Sequence, residues 1–205
     1  MPKLKVYKFP DTVLTQKALP IAHIESSFFQ LADDMLETMY HAPGVGLAAN
    51  QVGILKRIVV IDVDYTLEDS TEGSEDAEVL GKSILKNKNP QIILNPEIIY
   101  KEGSILFKEG CLSVPGFSCE VKRAEKLKLK CQNIDGQEKI LSAEGLLAIA
   151  IQHEIDHLDG KLFIDRLSPL KKEMIKRKLK KERLERDQDE KDGISLKPTK
   201  KEKGF

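Results

Sequence analysis

Three things are scarce in this 205-residue sequence: cysteine, long apolar runs and net charge. The three cysteines are an odd number, which argues against a disulfide framework and favours a reducing compartment, the cytoplasm. The longest apolar runs, such as LLAIAI at 146–151, are too short to cross a bilayer. The opening MPKLKVYKFP is polar and has no apolar signal core, so we do not expect export. Basic and acidic residues number 33 each, so the overall charge indicates no class of partner.

Charge is nevertheless concentrated in two segments. Residues 64–78 carry seven acidic and no basic residues, which is typical of a solvated loop or a partly disordered insertion. Residues 168–186 carry nine basic and three acidic residues, and Ser168-Pro169 suits the start of a helix. We therefore divide the chain into a main domain at 1–167, a basic helix at 168–190 that packs on it or extends from it, and a flexible tail at 191–205.

Hydrophobic periodicity predicts an α+β domain, with small antiparallel or mixed sheets around a central buried helix and a further helix at the C-terminus. Residues 25–42 place apolar side chains at three- and four-residue intervals, which predicts an amphipathic helix ending at Pro43-Gly44. Residues 144–158 form the second helix, whose apolar first half predicts burial. Strands are predicted at 57–63, 91–96, 97–103, 126–133 and 138–143.

The second predicted helix carries the motif HEIDH at 153–157. Residues four apart on an α-helix differ by about 40° around its axis, so His153 and His157 point the same way and can bind one metal ion. Glu154 is displaced by about 100° and flanks the ion, which is where a general base for hydrolysis belongs. A catalytic site of this kind takes a third protein ligand and leaves one position open.

Cys111 is the best candidate for that third ligand. No histidine follows His157, and the acidic residues beyond it lie in an exposed, charged segment. Cys111 lies in FKEGCLSVPGF at 107–117, between a glycine and a Pro-Gly turn, and so at a sharp bend. This stretch alone leaves two interpretations open, because a lone buried thiol is as often a small apolar side chain as a ligand.

A third stretch, PGVGLAANQVG at 43–53, combines three glycines with small residues and a single amide, Gln51. Its spacing fits neither a phosphate-binding loop nor a dinucleotide fingerprint, and alone it indicates only a tight turn. Taken in order with EGCLS (109–113) and HEIDH, however, GVGLAANQ resembles the first of three motifs of the peptide deformylases. The opening KVYKFPDTVLTQKA also resembles the start of that family, so the resemblance covers the chain apart from the acidic segment and the tail.

The resemblance implies a catalytic domain at 1–167 that removes the N-formyl group from nascent polypeptides beginning with formylmethionine and releases formate. It implies one divalent metal, Fe(II) natively, with Zn(II), Ni(II) or Co(II) as other occupants. The implied metal ligands are Cys111, His153 and His157. A metal-bound water would be the nucleophile and Glu154 the general acid and base. The Gln51 amide and the Leu112 backbone N–H would donate to the formyl oxygen.

The resemblance also implies that the peptide binds as an extended strand along the backbone of Val45, Gly46 and Gly110. The residues expected to line the methionine pocket are Val45, Leu112, Ile149 and Ala150, with Gly44 and Gly46 leaving room for the formyl group. Glu109 is expected to orient a ligand histidine or its own loop, and Arg123 to form an ion pair. Many family members have a substrate-binding arginine between the cysteine motif and Arg123, where this chain has Ser118 and Cys119.

The expected partners are N-formylmethionyl nascent peptides and no membrane, and the chain is expected to be a monomer. The basic helix is either a solvated, salt-bridged helix or a contact for ribosomal RNA. Two competing functions are a metallopeptidase that cleaves internal amides and a structural metal domain. The upstream cysteine and Gln51 argue against the first, and a set of only three good ligands argues against the second.

Overall fold

The computed structural model describes residues 4–69, 78–80 and 83–191, and these form three helices and small antiparallel sheets. The helices are α1 (Ser26–His41), α2 (Gly145–Leu158) and α3 (Pro169–Lys191). The strands are β1 (Gly46–Ala48), β2 (Ile58–Ile61), β3 (Thr66–Asp69), β4 (Glu78–Leu80), β5 (Ser83–Lys86), β6 (Gln91–Glu102), β7 (Ile105–Gly110), β8 (Ser118–Arg123), β9 (Lys126–Gln132) and β10 (Glu138–Glu144). Short 3₁₀ helices cover Thr12–Thr15, Ala49–Val52 and Phe163–Arg166. This mixture confirms the predicted α+β class.

The strands form three antiparallel sheets of different sizes. The largest has the order β1-β2-β6-β9-β10, the second has the order β3-β5-β4, and β7 pairs with β8 in a two-stranded sheet. As a result, β1 is an edge strand of the main sheet, and β7 has a single neighbour among the strands that the structure describes. Strand β1 directly precedes the 3₁₀ helix that carries Gln51, and β7 directly precedes the loop that begins with Cys111.

Strand β2 shows why α1 and α2 lie on opposite faces of the main sheet. All four of its residues, IVVI, are buried, and successive side chains of a strand point to opposite faces. Val59 and Ile61 belong to an apolar cluster with Ile151 of α2, whereas Val60 belongs to a second cluster with Met35 of α1. Because both faces of the sheet are covered, most side chains of α2 are buried, including both histidines of HEIDH.

Strand β6 is continuous where the sequence predicts two strands, at 91–96 and 97–103. The predicted break between two strands at residue 96 is wrong. The pairing register with β9 shifts between Leu94 and Glu97, and the same strand continues beyond this shift. Asn95 takes a positive φ of 49° at this irregularity. A bulge of this kind accommodates Pro96, which has no N–H to donate, without ending the strand.

The acidic segment 64–78 is not simply a loop. Residues 66–69 form β3, which pairs with β5, and Glu78 begins β4. The Glu68 carboxylate lies 2.6 Å from Lys86 Nζ on the neighbouring strand, which offsets part of the negative charge that suggested a loop. Residues 70–77 of this segment lie outside the described residues, as does the expected flexible tail at 191–205 except Lys191, which ends α3.

Helix α3 packs its apolar positions against the loops near the N-terminus and the cysteine motif. Ile175 and Leu179 are buried in a third apolar cluster that includes Phe9 and Val114, and Cys111 packs against this cluster. The opposite side of α3 exposes Leu170 and many basic side chains. Within the described ranges, no helix combines the length and apolar character that crossing a bilayer requires.

Candidate metal centre

Three separate elements bring the residues of the predicted motifs together. Gln51 lies on the 3₁₀ helix that directly follows β1, and Cys111 is the first residue after β7. The chain turns sharply after β7, with the Val114 N–H donating to the Cys111 carbonyl at 3.0 Å. His153 and His157 lie one turn apart on α2, as the four-residue spacing predicts.

The side chains of Cys111, His153 and His157 form the one group of three candidate metal ligands in the part of the chain that the structure describes. One donor atom from each lies within 4.8 Å of the others, and Cys111 Sγ is 3.2 Å from His157 Nε2. In a tetrahedral site with metal–sulfur and metal–nitrogen bonds of about 2.3 and 2.1 Å, ligand atoms lie roughly 3.5 Å apart. The three side chains therefore fit a single divalent ion.

Glu154 adjoins the three candidate ligands but has a different environment. Its side chain is buried, and its Oε2 has no hydrogen-bond partner among the described residues. A Cβ at Gly46 would collide with the Glu154 side chain, so a larger residue at that position of β1 would displace the carboxylate. Burial raises the pKa of Glu154, and a buried carboxyl with one oxygen unpaired is suited to exchanging a proton with a bound substrate or water molecule.

A buried ionic network lies behind His153. Glu109 Oε2 is 2.8 Å from His153 Nδ1, and Arg123 donates to both Glu109 oxygens at 2.6 and 2.9 Å. Arg123 also donates to Asp156 at 2.6 Å, and Asp156 in turn accepts two bonds from Arg166. Because His153 Nδ1 is engaged by Glu109, its Nε2 is left as the candidate ligand atom. Removing one charged side chain from such a network typically lowers the free energy of unfolding by about 3–5 kcal/mol.

The titration of the site follows from these contacts. Burial alone would raise the pKa of the Cys111 thiol, but the neighbouring His157 and the hydrogen bonds to both histidines lower it to about 5. Burial would lower the pKa of His153, but its bonds to Cys111 and Glu109 raise it well above its ordinary value. Cys111 is therefore a thiolate at neutral pH, the form in which cysteine binds metals.

The Gln51 side chain is oriented by the bonds that it makes at both ends. Its Oε1 accepts from the Ala48 N–H at 2.9 Å, which turns its Nε2 toward Ser113 Oγ at 3.2 Å and Cys111 Sγ at 3.7 Å. Gln51 is 2% exposed, so its side chain is buried beside the site and does not extend into solvent. The amide donor thus points at the candidate metal site.

The N-terminal segment ties the two motif loops together. The Tyr7 N–H donates to the Gln51 carbonyl at 2.7 Å, and the Phe9 N–H donates to the Ser113 carbonyl at 2.8 Å. The two donors are two residues apart on one segment, so these bonds fix the spacing of the elements that carry Gln51 and Cys111. The resemblance of this segment to the family's opening therefore has a structural counterpart.

The predicted substrate-binding residues lie on or beside the elements that carry the candidate ligands and Gln51, and some of them are also core residues. Gly44 lies beside Leu112, whose Cδ1 would be 3.4 Å from a Cβ at Gly44, and Gly110 is the last residue of β7. Val45 is half-buried, whereas Ile149 and Ala150 on α2 are almost fully buried, at 3% and 5% exposure. Ala150 and Val45 also pack in the apolar cluster between α2 and the main sheet, so both contribute to the core.

Sequence reasoning assigned no role to three residues that support the site: Ser113, Asp156 and Arg166. Ser113 is buried within the EGCLS motif and accepts a bond from Gln51. Asp156 lies inside HEIDH, and its charge on a helix with an apolar first half was the available signal for a buried cationic partner. No local pattern marks Arg166, because its contact with Asp156 depends on the turn of the chain after α2.

Comparisons with known proteins identify relatives of this chain. A family model described as polypeptide deformylase matches residues 3–173. The chain is 47% identical over 187 residues to peptide deformylase 2 of Xanthomonas axonopodis, covering 89% of this chain and 98% of that protein. It is 49% identical over 186 residues to a peptide deformylase of Xylella fastidiosa, with the same two shares covered.

Solved structures show the same likeness in three dimensions. A peptide deformylase from Legionella pneumophila superimposes with a TM-score of 0.74 at 41% identity, covering 90% of this chain and 98% of that one. A peptide deformylase from Ehrlichia chaffeensis, solved in complex with actinonin, gives a TM-score of 0.74 at 36% identity, with 89% and 98% covered. A plant peptide deformylase gives 0.73 at 31% identity, with 96% of both chains covered.

Proposed function

This chain belongs to the polypeptide deformylase family of metal-dependent hydrolases, and we propose that it hydrolyses the N-formyl group of formylmethionyl nascent peptides and releases formate. The observation that carries the proposal is the meeting of Cys111, His153 and His157 beside the buried carboxyl of Glu154. We infer that the enzyme acts as a monomer in the cytoplasm, where a reactive thiolate stays reduced.

Cys111, His153 and His157 would hold the metal through one sulfur and two nitrogen atoms. This donor set suits Fe(II), which we propose as the native ion, and equally Zn(II), Ni(II) or Co(II). When bound, a divalent cation supplies Lewis acidity, which lowers the pKa of water from about 15.7 toward about 7. Glu109 supports this role by holding His153 in one orientation and tautomer, with Arg123 fixing Glu109.

Glu154 is proposed to move the proton. Its carboxyl adjoins the metal ligands and has an oxygen without a protein partner, so it can accept a proton from the attacking water. The pKa raised by burial then favours keeping that proton until the amine of the peptide leaves with it. One carboxyl thus acts first as base and then as acid, and formate departs.

Gln51 and the backbone N–H of Leu112 are proposed to stabilise the negative charge that builds on the formyl oxygen. The Gln51 amide already points toward the site, since its oxygen is held by the Ala48 N–H. Each donor of this kind is typically worth about 2.7–4 kcal/mol of barrier, provided that it is fixed before the reaction. The bond from Tyr7 to the Gln51 carbonyl contributes to that rigidity.

The peptide is proposed to bind as an extended strand between the backbones of β1 and β7. The Asp62 N–H donates to the Val45 carbonyl, so the backbone of Val45 faces β2. In an antiparallel pair the N–H and C=O groups of successive residues point to opposite sides, so those of Gly46 point away from β2, toward the free edge of the main sheet. Gly110 ends β7. Main-chain bonds of this kind accept many sequences, so the pocket of Val45, Leu112, Ile149 and Ala150 would select methionine.

The direct test compares formyl-Met-Ala-Ser with the same peptide lacking the formyl group. We expect formate and Met-Ala-Ser from the first substrate and no cleavage of the second. A metallopeptidase would instead cut an internal amide in both peptides, and shorter fragments in the mass spectrum would contradict the proposal. A structural metal domain would release nothing from either.

Helix α3 is proposed as a ribosomal RNA contact. Its exposed face carries basic side chains beside Leu170 and Met174, which are 83% and 59% exposed. The simpler alternative is a solvated helix, since several of its charges are paired along the helix, as Arg177 is with Glu173. Deleting 168–205 does not separate these alternatives, because Ile175 and Leu179 belong to the cluster against which Cys111 packs.

Neutralising exposed lysines of α3 provides the cleaner test. The α3 variant carries three substitutions: Lys171→Gln, Lys180→Gln and Lys181→Gln. We expect this triple variant to bind ribosomes more weakly at low salt, and the slope of log affinity against log salt to fall by about one per lost phosphate contact. The matched control neutralises three exposed lysines of β6 and β9: Lys101→Gln, Lys128→Gln and Lys130→Gln. Equal ribosome affinity of both variants, with unchanged peptide hydrolysis, would leave α3 a solvated helix.

A further inference from the structure

Asp62 follows β2 and is a fully buried carboxylate that organises the surrounding chain. An isolated buried charge is costly, but here both oxygens are satisfied by donors from three parts of the chain. The donors are the Tyr40 hydroxyl at 2.6 Å and the backbone N–H groups of Asn89 at 2.9 Å, Asp64 at 3.0 Å and Tyr65 at 3.2 Å. Both ends of the segment that contains the small sheet β3-β5-β4 are therefore anchored at one side chain.

Tyr65 is fixed by this anchor and points its hydroxyl back to the first motif. Its ring packs edge-on against Tyr40, with centroids 5.0 Å apart and an interplanar angle of 80°. Its hydroxyl donates to the Gly44 carbonyl at 3.1 Å. Burial, together with the negative charge of Asp62, raises the pKa of Tyr65, so the hydroxyl remains a donor at physiological pH.

Gly44 depends on this contact more than the residues that follow it. Val45 is held by the Asp62 N–H at 3.0 Å, and Gly46 lies within β1 opposite Ile61 of β2. Gly44 precedes β1, and its N–H donates to the Met39 carbonyl at 3.0 Å. The Tyr65 hydroxyl is therefore the contact that fixes the carbonyl of Gly44. Gly44 lies just before β1, the strand along which the peptide is proposed to bind.

We propose that Tyr65 is a positioning residue for peptide binding: its hydroxyl holds the Gly44 end of the β1 segment so that an extended peptide can pair along it. This inference rests on the proposed function and deepens it. Tyr65 would act on affinity and not on chemistry, because Gly46, which packs against Glu154, is held independently by its pairing with β2.

A single substitution, Tyr65→Phe, removes the hydroxyl and keeps the ring against Tyr40. Loss of one neutral hydrogen bond predicts a rise of about five-fold in KM for formyl-Met-Ala-Ser, with kcat changed by less than about two-fold. Formyl-Met amide has no peptide backbone beyond its first residue, so its KM should stay within about two-fold. The matched control is Tyr100→Phe, which removes an exposed hydroxyl bonded to Glu102 and should change neither value.

The ratio of the two KM values decides the outcome. KM does not depend on the fraction of folded enzyme, so a loss of stability in Tyr65→Phe cannot imitate a change confined to the longer substrate. Equal KM values for variant and wild type on the tripeptide, or an equal rise on both substrates, would overturn the role of Tyr65. Failure of the wild-type protein to release formate from either substrate would instead overturn the proposed function.

Discussion

Replacing Glu154 by glutamine is expected to lower kcat by about 10²- to 10⁴-fold while the metal stays bound. Glutamine fills the same volume beside Gly46 but cannot accept the proton of the attacking water at neutral pH. Because Glu154 is not one of the three candidate ligands, the metal content of the variant should match that of the wild type. The two measurements are single-turnover hydrolysis of formyl-Met-Ala-Ser and metal analysis of the same preparation.

The control for this substitution is Glu120→Gln, an exposed glutamate on β8. It makes the same chemical change away from the site, so its kcat should equal that of the wild type. A Glu154→Gln enzyme that keeps its metal and hydrolyses at the wild-type rate would remove Glu154 from the proposed chemistry. A variant that loses its metal would show instead that the carboxyl contributes to binding the ion.

Replacing Cys111 by alanine is expected to remove the metal and with it the activity. The thiolate is one of three protein ligands, and even groups behind a ligand typically change metal affinity by about 10–100-fold, so a larger loss is expected here. The measurement is a titration of the divalent ion against a chelator of known affinity.

In chelator-treated wild-type protein, Cys111 should react with iodoacetamide at pH 7, and the rate should fall as the pH drops through about 5.

Cys131→Ala is the matched control for the thiol. Cys131 is buried on β9, and burial raises the pKa of its thiol, so it should react slowly and bind no metal. Cys131→Ala makes the same chemical change, loss of one thiol, at a buried position on β9, and should leave metal affinity and kcat unchanged. If Cys111→Ala bound the ion as tightly as Cys131→Ala does, the proposed ligand set would be wrong.

The helices were predictable from the sequence because their patterns are local. α1 and α2 fall within one residue of their predicted limits, at Ser26–His41 and Gly145–Leu158. The strand β8 was missed although its side chains alternate between exposed and buried positions. One of its buried positions is Arg123, and a charged residue hides the alternation unless its partners Glu109 and Asp156 are already known.

The centre itself was predictable only in part. The spacing in HEIDH places two imidazoles on one face of a helix, and this follows from helix geometry alone. No local rule brings Cys111 or Gln51 to that face, because their positions depend on the sheet order and on the bonds from Tyr7 and Phe9. The resemblance to a family provided what periodicity could not. Neither periodicity nor the family resemblance predicted the contact from Tyr65 to Gly44, since no sequence pattern marks it.

The central claim is that one divalent ion, held by Cys111 together with His153 and His157, is required for formate release. The most direct measurement is metal analysis of protein purified without oxygen, combined with formate release from the same samples after graded removal and return of Fe(II). We expect about one ion per chain at saturation and a rate proportional to the metal content. Full activity in metal-free protein, or metal bound at full stoichiometry without any formate release, would contradict the account.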